Sequence, residues 1–123
     1  MDRSIGFHLL ADFWQVNIID DPHKISALLR RAAEKARVTV LTVSVERFSG
    51  QGITGVALLK ESHISIHSWP ESDYLAIDIF TCGRPQAALD ALECLEEAYQ
   101  PQKKQIKKIP RGVFPTTSEI GTI

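Results

Sequence analysis

Hydrophobic and polar positions alternate along much of this chain, a pattern typical of strands that bury one face. The alternation is clearest over residues 62–68, where His63, Ser65 and His67 would share one face and two isoleucines the other. Apolar, β-branched or alternating runs predict the remaining strands at 5–14, 38–48, 54–60, 74–82 and 103–109.

Two segments instead follow the 3.6-residue period of a helix. The first begins at Asp20-Asp21-Pro22, where acidic capping residues precede a proline suited to the first helical position. Its apolar face consists of Ile25, Leu28, Leu29, Ala32, Ala33 and Ala36. The second follows Gly83-Arg84-Pro85 and ends before Pro101. Its apolar stripe consists of Ala88, Leu92, Leu95 and Tyr99.

These elements predict one α+β domain spanning residues 1–123, since a chain of this length can bury a single core. Short turns between the strands at 54–60, 62–68 and 74–82 indicate antiparallel neighbours. We therefore expect a two-layer α/β sandwich, with a mainly antiparallel sheet and both helices on one face. Turns are also predicted at 49–52 and 69–73, and the segment 110–123 is rich in turn residues.

The composition is that of an ordinary globular protein, with 44% hydrophobic and 24% charged residues. A net charge of −1 gives no electrostatic reason to expect nucleic acid or an anionic membrane as partner. The chain lacks a run of roughly 20 apolar residues, a signal-peptide pattern and a CxxC pair, which together predict a cytoplasmic protein. The lysines at 103, 104, 107 and 108 are expected to form a solvated strand edge that discourages aggregation.

Spacing alone leaves the chemistry of the central stretch open. His63 and His67 would lie about 13 Å apart on a strand, and the chain has no familiar ligand spacing, so no metal is expected. A hydrolase with His67 as base lacks the glycine-flanked nucleophile turn. The same residues also fit a polar strand face, with Cys82 as a small core residue. Cys94, inside the second predicted helix, is expected to serve packing.

Two ordered motifs carry a more specific signal. The run ESHISIHSWPE at 61–71, followed by DIFTCG at 78–83, resembles the prokaryotic S-adenosylmethionine decarboxylases. The similarity extends to Arg47-Phe48, to Gly52-Ile53-Thr54-Gly55 and to the N-terminal run GFHLLADF at 6–13. Within that run Asp12 stands where many relatives carry glutamate.

The resemblance implies self-cleavage between Glu61 and Ser62 into residues 1–61 (beta chain) and 62–123 (alpha chain). The serine hydroxyl would attack the preceding carbonyl, and loss of its Cα proton would then leave a pyruvoyl group at the new N-terminus. His67 matches the family's proton acceptor in this processing. Thr54 stands where the family has a serine that assists it.

For turnover, the resemblance implies that the pyruvoyl group from Ser62 forms a Schiff base with S-adenosylmethionine, without metal or PLP. Cys82 would return the proton to the substrate Cα. Phe48 and Trp69 would flank the adenine and Glu71 would bind the ribose. Small prokaryotic members are homodimers whose active sites use both protomers, and they supply polyamine (spermidine) synthesis.

Two alternatives remain on the sequence alone. One is a pyruvoyl-dependent decarboxylase of arginine or ornithine on the same scaffold, and the other is an uncleaved, non-enzymatic homologue that acts as a partner subunit. Because the family assigns Cys82 to turnover, the sequence predicts that Cys82→Ala leaves cleavage largely intact.

Overall fold

The computed structural model describes residues 4–48 and 52–115. Within them the chain forms six strands and two α-helices. The elements are β1 (Gly6–Trp14), α1 (Pro22–Lys35), β2 (Val40–Arg47), β3 (Ile53–Leu59), β4 (Ser62–Trp69), β5 (Tyr74–Cys82), α2 (Pro85–Tyr99) and β6 (Lys103–Arg111). A short 3-10 turn, Pro70–Ser72, joins β4 to β5.

The six strands form one sheet in the order β2-β3-β4-β5-β1-β6, and every neighbouring pair is antiparallel. Strands β2 to β5 are neighbours in both sequence and space, since short turns connect them. The N-terminal strand β1 breaks this order by inserting between β5 and β6. The sheet therefore brings together residues that are far apart in the sequence.

Both helices pack on the same face of the sheet. Helix α1 begins where the Asp21 side chain accepts a hydrogen bond from the His23 amide, 2.9 Å away, with Pro22 in the first helical turn. The predicted apolar faces of both helices are buried. Cys94 is buried in α2, as expected, and burial raises the pKa of its thiol.

Alternation gives the sheet two different faces. The face under the helices carries the apolar core, including Leu9, Phe13, Ile64, Ile66 and Ile77. We call the other side the helix-free face. Its central residues are His8, Leu10, Asp12, Trp14, Thr54, Val56, Leu58, His63, Ser65, His67, Trp69, Tyr74, Ala76, Asp78 and Phe80.

The predicted α+β two-layer sandwich is confirmed, and all six strands and both helices lie where the pattern places them. Strand ends differ by a few residues, since β2 begins at Val40 and β6 continues to Arg111. The lysine-rich β6 is an edge strand, as predicted. Residues 49–51 of one predicted turn, and 116–123 of the turn-rich segment, lie outside the described residues. No helix in the described ranges is long and apolar enough to cross a membrane.

Candidate active site in two halves

The Glu61–Ser62 peptide bond lies at a tight turn between β3 and β4. Leu59 pairs with Ser62, so only Lys60 and Glu61 connect the two strands. Glu61 has a φ of 64°, in the left-handed region. A side chain there costs on the order of 1 kcal/mol, and such strain often marks functional positions. The strained residue is the one whose carbonyl would be attacked.

Cys82 contacts that carbonyl directly. Its thiol, exposed at the end of β5, donates a hydrogen bond to the Glu61 carbonyl oxygen at 2.9 Å. A donor at this oxygen stabilises the negative charge that develops there when the carbonyl carbon is attacked. The cysteine that the resemblance assigns to turnover is thus also placed to assist cleavage.

Ser62 begins β4 with its side chain toward the helices. It is only 9% exposed, and its hydroxyl lies 3.4 Å from the Lys60 carbonyl oxygen, a long hydrogen bond. The hydroxyl is therefore weakly held and can rotate toward the preceding carbonyl carbon. We call Glu61, Ser62 and Cys82 the cleavage half of the candidate site.

His67 and Thr54 form a pair at the opposite end of the sheet. They are direct partners across β3 and β4, with Thr54 Oγ1 3.0 Å from His67 Nδ1. If His67 accepts a proton at Nε2, its Nδ1 must carry hydrogen and donate to the threonine oxygen. Threonine supplies that acceptor as well as serine does, so the departure at position 54 keeps the contact.

Three aromatic rings lie in a row beside His67. The Tyr74 ring stacks between two indoles, with ring centroids 5.4 Å from Trp69 and 5.7 Å from Trp14. These are the only two tryptophans in the sequence. The Tyr74 hydroxyl donates to Asp12, and burial together with this carboxylate raises the pKa of Tyr74 to about 12. The row holds the Trp69 indole in a fixed orientation at the surface.

The other predicted binding residues lie at the same end. Phe48 directly follows β2 and is exposed, with its backbone amide bonded to the Gly52 carbonyl. Glu71 lies exposed in the 3-10 turn directly after Trp69. We call Phe48, Thr54, His67, Trp69 and Glu71 the binding half of the candidate site. The structure brings these five residues to one end of the sheet, where Thr54 contacts His67 and His67 lies beside Trp69.

The structure does not bring the two halves together within one chain. Ser62 and His67 are five residues apart on β4, about 16 Å along a strand, and their side chains point to opposite faces. His67 therefore cannot reach the Ser62 Cα proton of its own chain. The alternating pattern already indicated the opposite faces, but not that the site is divided.

A polar cluster that the sequence did not reveal lies beside the cleavage half. His8 Nδ1 is 3.2 Å from the Arg111 guanidinium, and His8 Nε2 is 3.5 Å from Asp78, an ion-pair distance without hydrogen-bond alignment. Phe80 stacks on His63, and the Arg111 guanidinium lies over the Phe80 ring. Because β1 and β6 are remote from β5 in sequence, only the strand order brings these groups together. In the described ranges, no group of three or more His, Cys, Asp or Glu is arranged to hold a metal ion.

Comparisons with known proteins bear on this geometry. The family model described as S-adenosylmethionine decarboxylase matches residues 7–112, nearly the whole described chain. The chain belongs to this family. It is 40% identical over 121 residues to the S-adenosylmethionine decarboxylase proenzyme of Sulfurihydrogenibium sp. (strain YO3AOP1), covering 97% of this chain and 91% of that protein.

A second relative and a solved structure are also similar to this chain. The proenzyme of the same name from Methanococcus maripaludis (strain S2) is 38% identical over 114 residues, 91% of this chain and 93% of that protein. The crystal structure of the adenosylmethionine decarboxylase from Aquifex aeolicus VF5 superposes with a TM-score of 0.84 at 33% identity, covering 98% of each chain. Both halves of the site lie within the span that the family model matches.

Proposed function

We propose that this chain is a self-processing, pyruvoyl-dependent S-adenosylmethionine decarboxylase that serves spermidine synthesis. The observation that carries the proposal is the Cys82 thiol donating to the Glu61 carbonyl, in a chain of this family. It places a proton donor on the one carbonyl whose conversion would create the cofactor. The names of the relatives support the substrate.

Cleavage would begin with attack by the Ser62 hydroxyl on the Glu61 carbonyl carbon. A C–O bond forms, the Glu61–Ser62 C–N bond breaks, and the hydroxyl proton passes to the freed nitrogen. Cys82 stabilises the charged oxygen during this step. Removal of the Ser62 Cα proton by His67 then expels Glu61 as a carboxylate. Hydrolysis of the resulting dehydroalanine releases ammonia and leaves the pyruvoyl group.

The proton removal requires His67 from a second protomer. A two-fold axis parallel to the helix-free face and perpendicular to the strands would pack two such faces together, with the cleavage half of one chain over the binding half of the other. This arrangement gives two complete sites per homodimer.

The helix-free face suits such burial. Its exposed apolar side chains are Trp14, Val56, Leu58, Trp69 and Ile109. Near its centre His8 lies 3.5 Å from Asp78 and 3.2 Å from the Arg111 guanidinium. A buried charge with a partner costs less than an isolated one.

In turnover, the binding half would hold the adenosine of the substrate. Trp69, fixed by Tyr74, presents a flat apolar surface to adenine, and Phe48 presents a second. The Glu71 carboxylate would accept hydrogen bonds from the ribose hydroxyls. The pyruvoyl group formed from Ser62 would supply an electron-withdrawing carbonyl for the decarboxylation of the bound substrate. Once Glu61 has become a chain end, the Cys82 thiol is free to return a proton to the substrate Cα.

A substrate comparison tests this assignment. We expect CO₂ release from S-adenosylmethionine and none above background from arginine or ornithine, because only the first fills the surface around Trp69. The measurement is trapped ¹⁴CO₂ from each carboxyl-labelled compound, with the Ser62→Ala protein as blank. Release from arginine or ornithine but not from S-adenosylmethionine would overturn the substrate assignment.

Replacing Cys82 tests the contact that carries the proposal. The thiol contact revises the sequence-based expectation: Cys82→Ala should slow cleavage about a hundred- to a thousandfold, as loss of one oxyanion donor does, and also impair turnover. Cleavage is followed by intact mass. Cys94→Ala is the matched control, because that cysteine is buried in α2 away from the site and should leave both rates unchanged. Cleavage of Cys82→Ala at the parental rate would remove the thiol from processing.

A further inference from the structure

Thr81 carries a buried hydroxyl that the proposed mechanism does not yet use. Its side chain is 2% exposed, and its Oγ1 is one of three buried side-chain atoms without a hydrogen-bond partner in residues 4–48 and 52–115. A buried polar group without a partner lowers stability, so a valine of the same shape would be the better core residue. Among the described residues, the Thr81 hydroxyl makes no hydrogen bond that would stabilise the fold.

The strand register places this hydroxyl beside the cleavage site. His63 pairs with Phe80, and continuing this register by one residue sets Thr81 directly opposite Ser62. Both side chains point toward the helices and both are buried. Side chains opposite each other on neighbouring strands have Cβ atoms about 5 Å apart. A further step sets Cys82 beside Glu61, in agreement with the thiol contact.

Consecutive residues of β5 therefore face the two reacting groups of the bond to be cut. Cys82 contacts the carbonyl of Glu61, and Thr81 lies across from the hydroxyl of Ser62. On its other side Thr81 pairs with Phe7 of β1, which is apolar and buried. Ser62 is thus the hydroxyl that the register places directly opposite Thr81.

We propose that Thr81 is a positioning residue for self-cleavage, an inference that rests on the proposed function. When Ser62 leaves its long contact with the Lys60 carbonyl, its hydroxyl donates to Thr81 Oγ1. That bond fixes the side-chain rotamer from which Oγ reaches the Glu61 carbonyl carbon. Thr81 neither gains nor loses a proton, because the Ser62 proton ends on the freed nitrogen.

The test compares variants of Thr81 by intact mass during cleavage of freshly synthesised protein. Thr81→Val should cleave roughly tenfold more slowly, the effect of one lost neutral hydrogen bond, while its Tm stays equal or rises. Thr81→Ser should restore the parental rate. Thr81→Ala and Thr81→Ser differ only in the hydroxyl. The difference between their cleavage rates therefore measures the contribution of the hydroxyl even if valine perturbs folding. Ile79→Val, two residues earlier on the same face, is the matched packing control.

Several outcomes would overturn the inference. They are cleavage of Thr81→Val at the parental rate, equal slowing in Thr81→Ser and Thr81→Ala, or equal slowing in Ile79→Val. Turnover after complete cleavage is a further readout, and Thr81→Val should keep the parental kcat because Ser62 no longer carries a hydroxyl to position. A fall in kcat as large as the fall in cleavage rate would indicate general distortion and would overturn the inference.

The two proposals fail in different ways. If the parent itself does not cleave, the proposed function fails. If the parent and Thr81→Val cleave at the same rate, only the role of Thr81 fails.

Discussion

Ser62→Ala should remain a single chain of residues 1–123 and release no CO₂ from S-adenosylmethionine. The proposed chemistry uses the Ser62 hydroxyl first as the attacking group and then as the leaving oxygen, and alanine supplies neither. The expected effect is complete loss rather than a slower rate. Intact mass of the denatured protein measures cleavage, and trapped CO₂ measures activity. Because Ser62 is buried at the edge of the core, a melting curve should confirm that the variant is folded.

Ser65→Ala is the matched control. This serine lies on the same strand but on the helix-free face, three residues from the bond. It should cleave and turn over as the parent does. Cleavage of Ser62→Ala at position 61, or equal loss of cleavage in both variants, would contradict the role assigned to Ser62.

Mixed dimers should recover cleavage that neither parent variant shows. His67→Ala keeps an intact cleavage half, and Ser62→Ala keeps an intact binding half. When the two are co-expressed and isolated with different tags, the Ser62 of one chain meets the His67 of the other. One of the two sites per dimer is then complete, and only the His67→Ala chain is cut. The roughly 16 Å that separates these residues within one chain is the reason for this expectation.

A same-half pair provides the control for complementation. Ser62→Ala and Cys82→Ala both damage the cleavage half, so their mixed dimer should not restore cleavage of the Cys82→Ala chain. Two results would show that the site is not shared between protomers. One is cleavage of the His67→Ala homodimer at the parental rate, and the other is no cleavage in its mixed dimer with Ser62→Ala.

The periodic pattern predicted most of the fold. Alternation at 62–68 placed β4 and its two faces, and the capping sequence at Asp21-Pro22 placed the start of α1. These signals are local, so they can be read from a single chain. The position of β1 between β5 and β6 is not local, because it depends on pairings between residues about 70 and 100 positions apart.

The same distinction applies to the site. The motifs selected Glu61, Ser62 and Cys82 together, yet only the sheet shows the Cys82 thiol on the Glu61 carbonyl. The pairing of Tyr74 with Asp12 spans 62 residues and required β1 to lie beside β5. Thr81 was indistinguishable from any strand threonine until its burial and register were known.

Self-processing is tested by the mass of the intact, denatured parent chain. We expect two fragments, residues 1–61 and 62–123. The second should be lighter, by the mass of ammonia, than the same fragment with an N-terminal serine, because it begins with a pyruvoyl group. A single full-length mass in both fresh and aged protein would contradict self-processing, and with it the proposed decarboxylase.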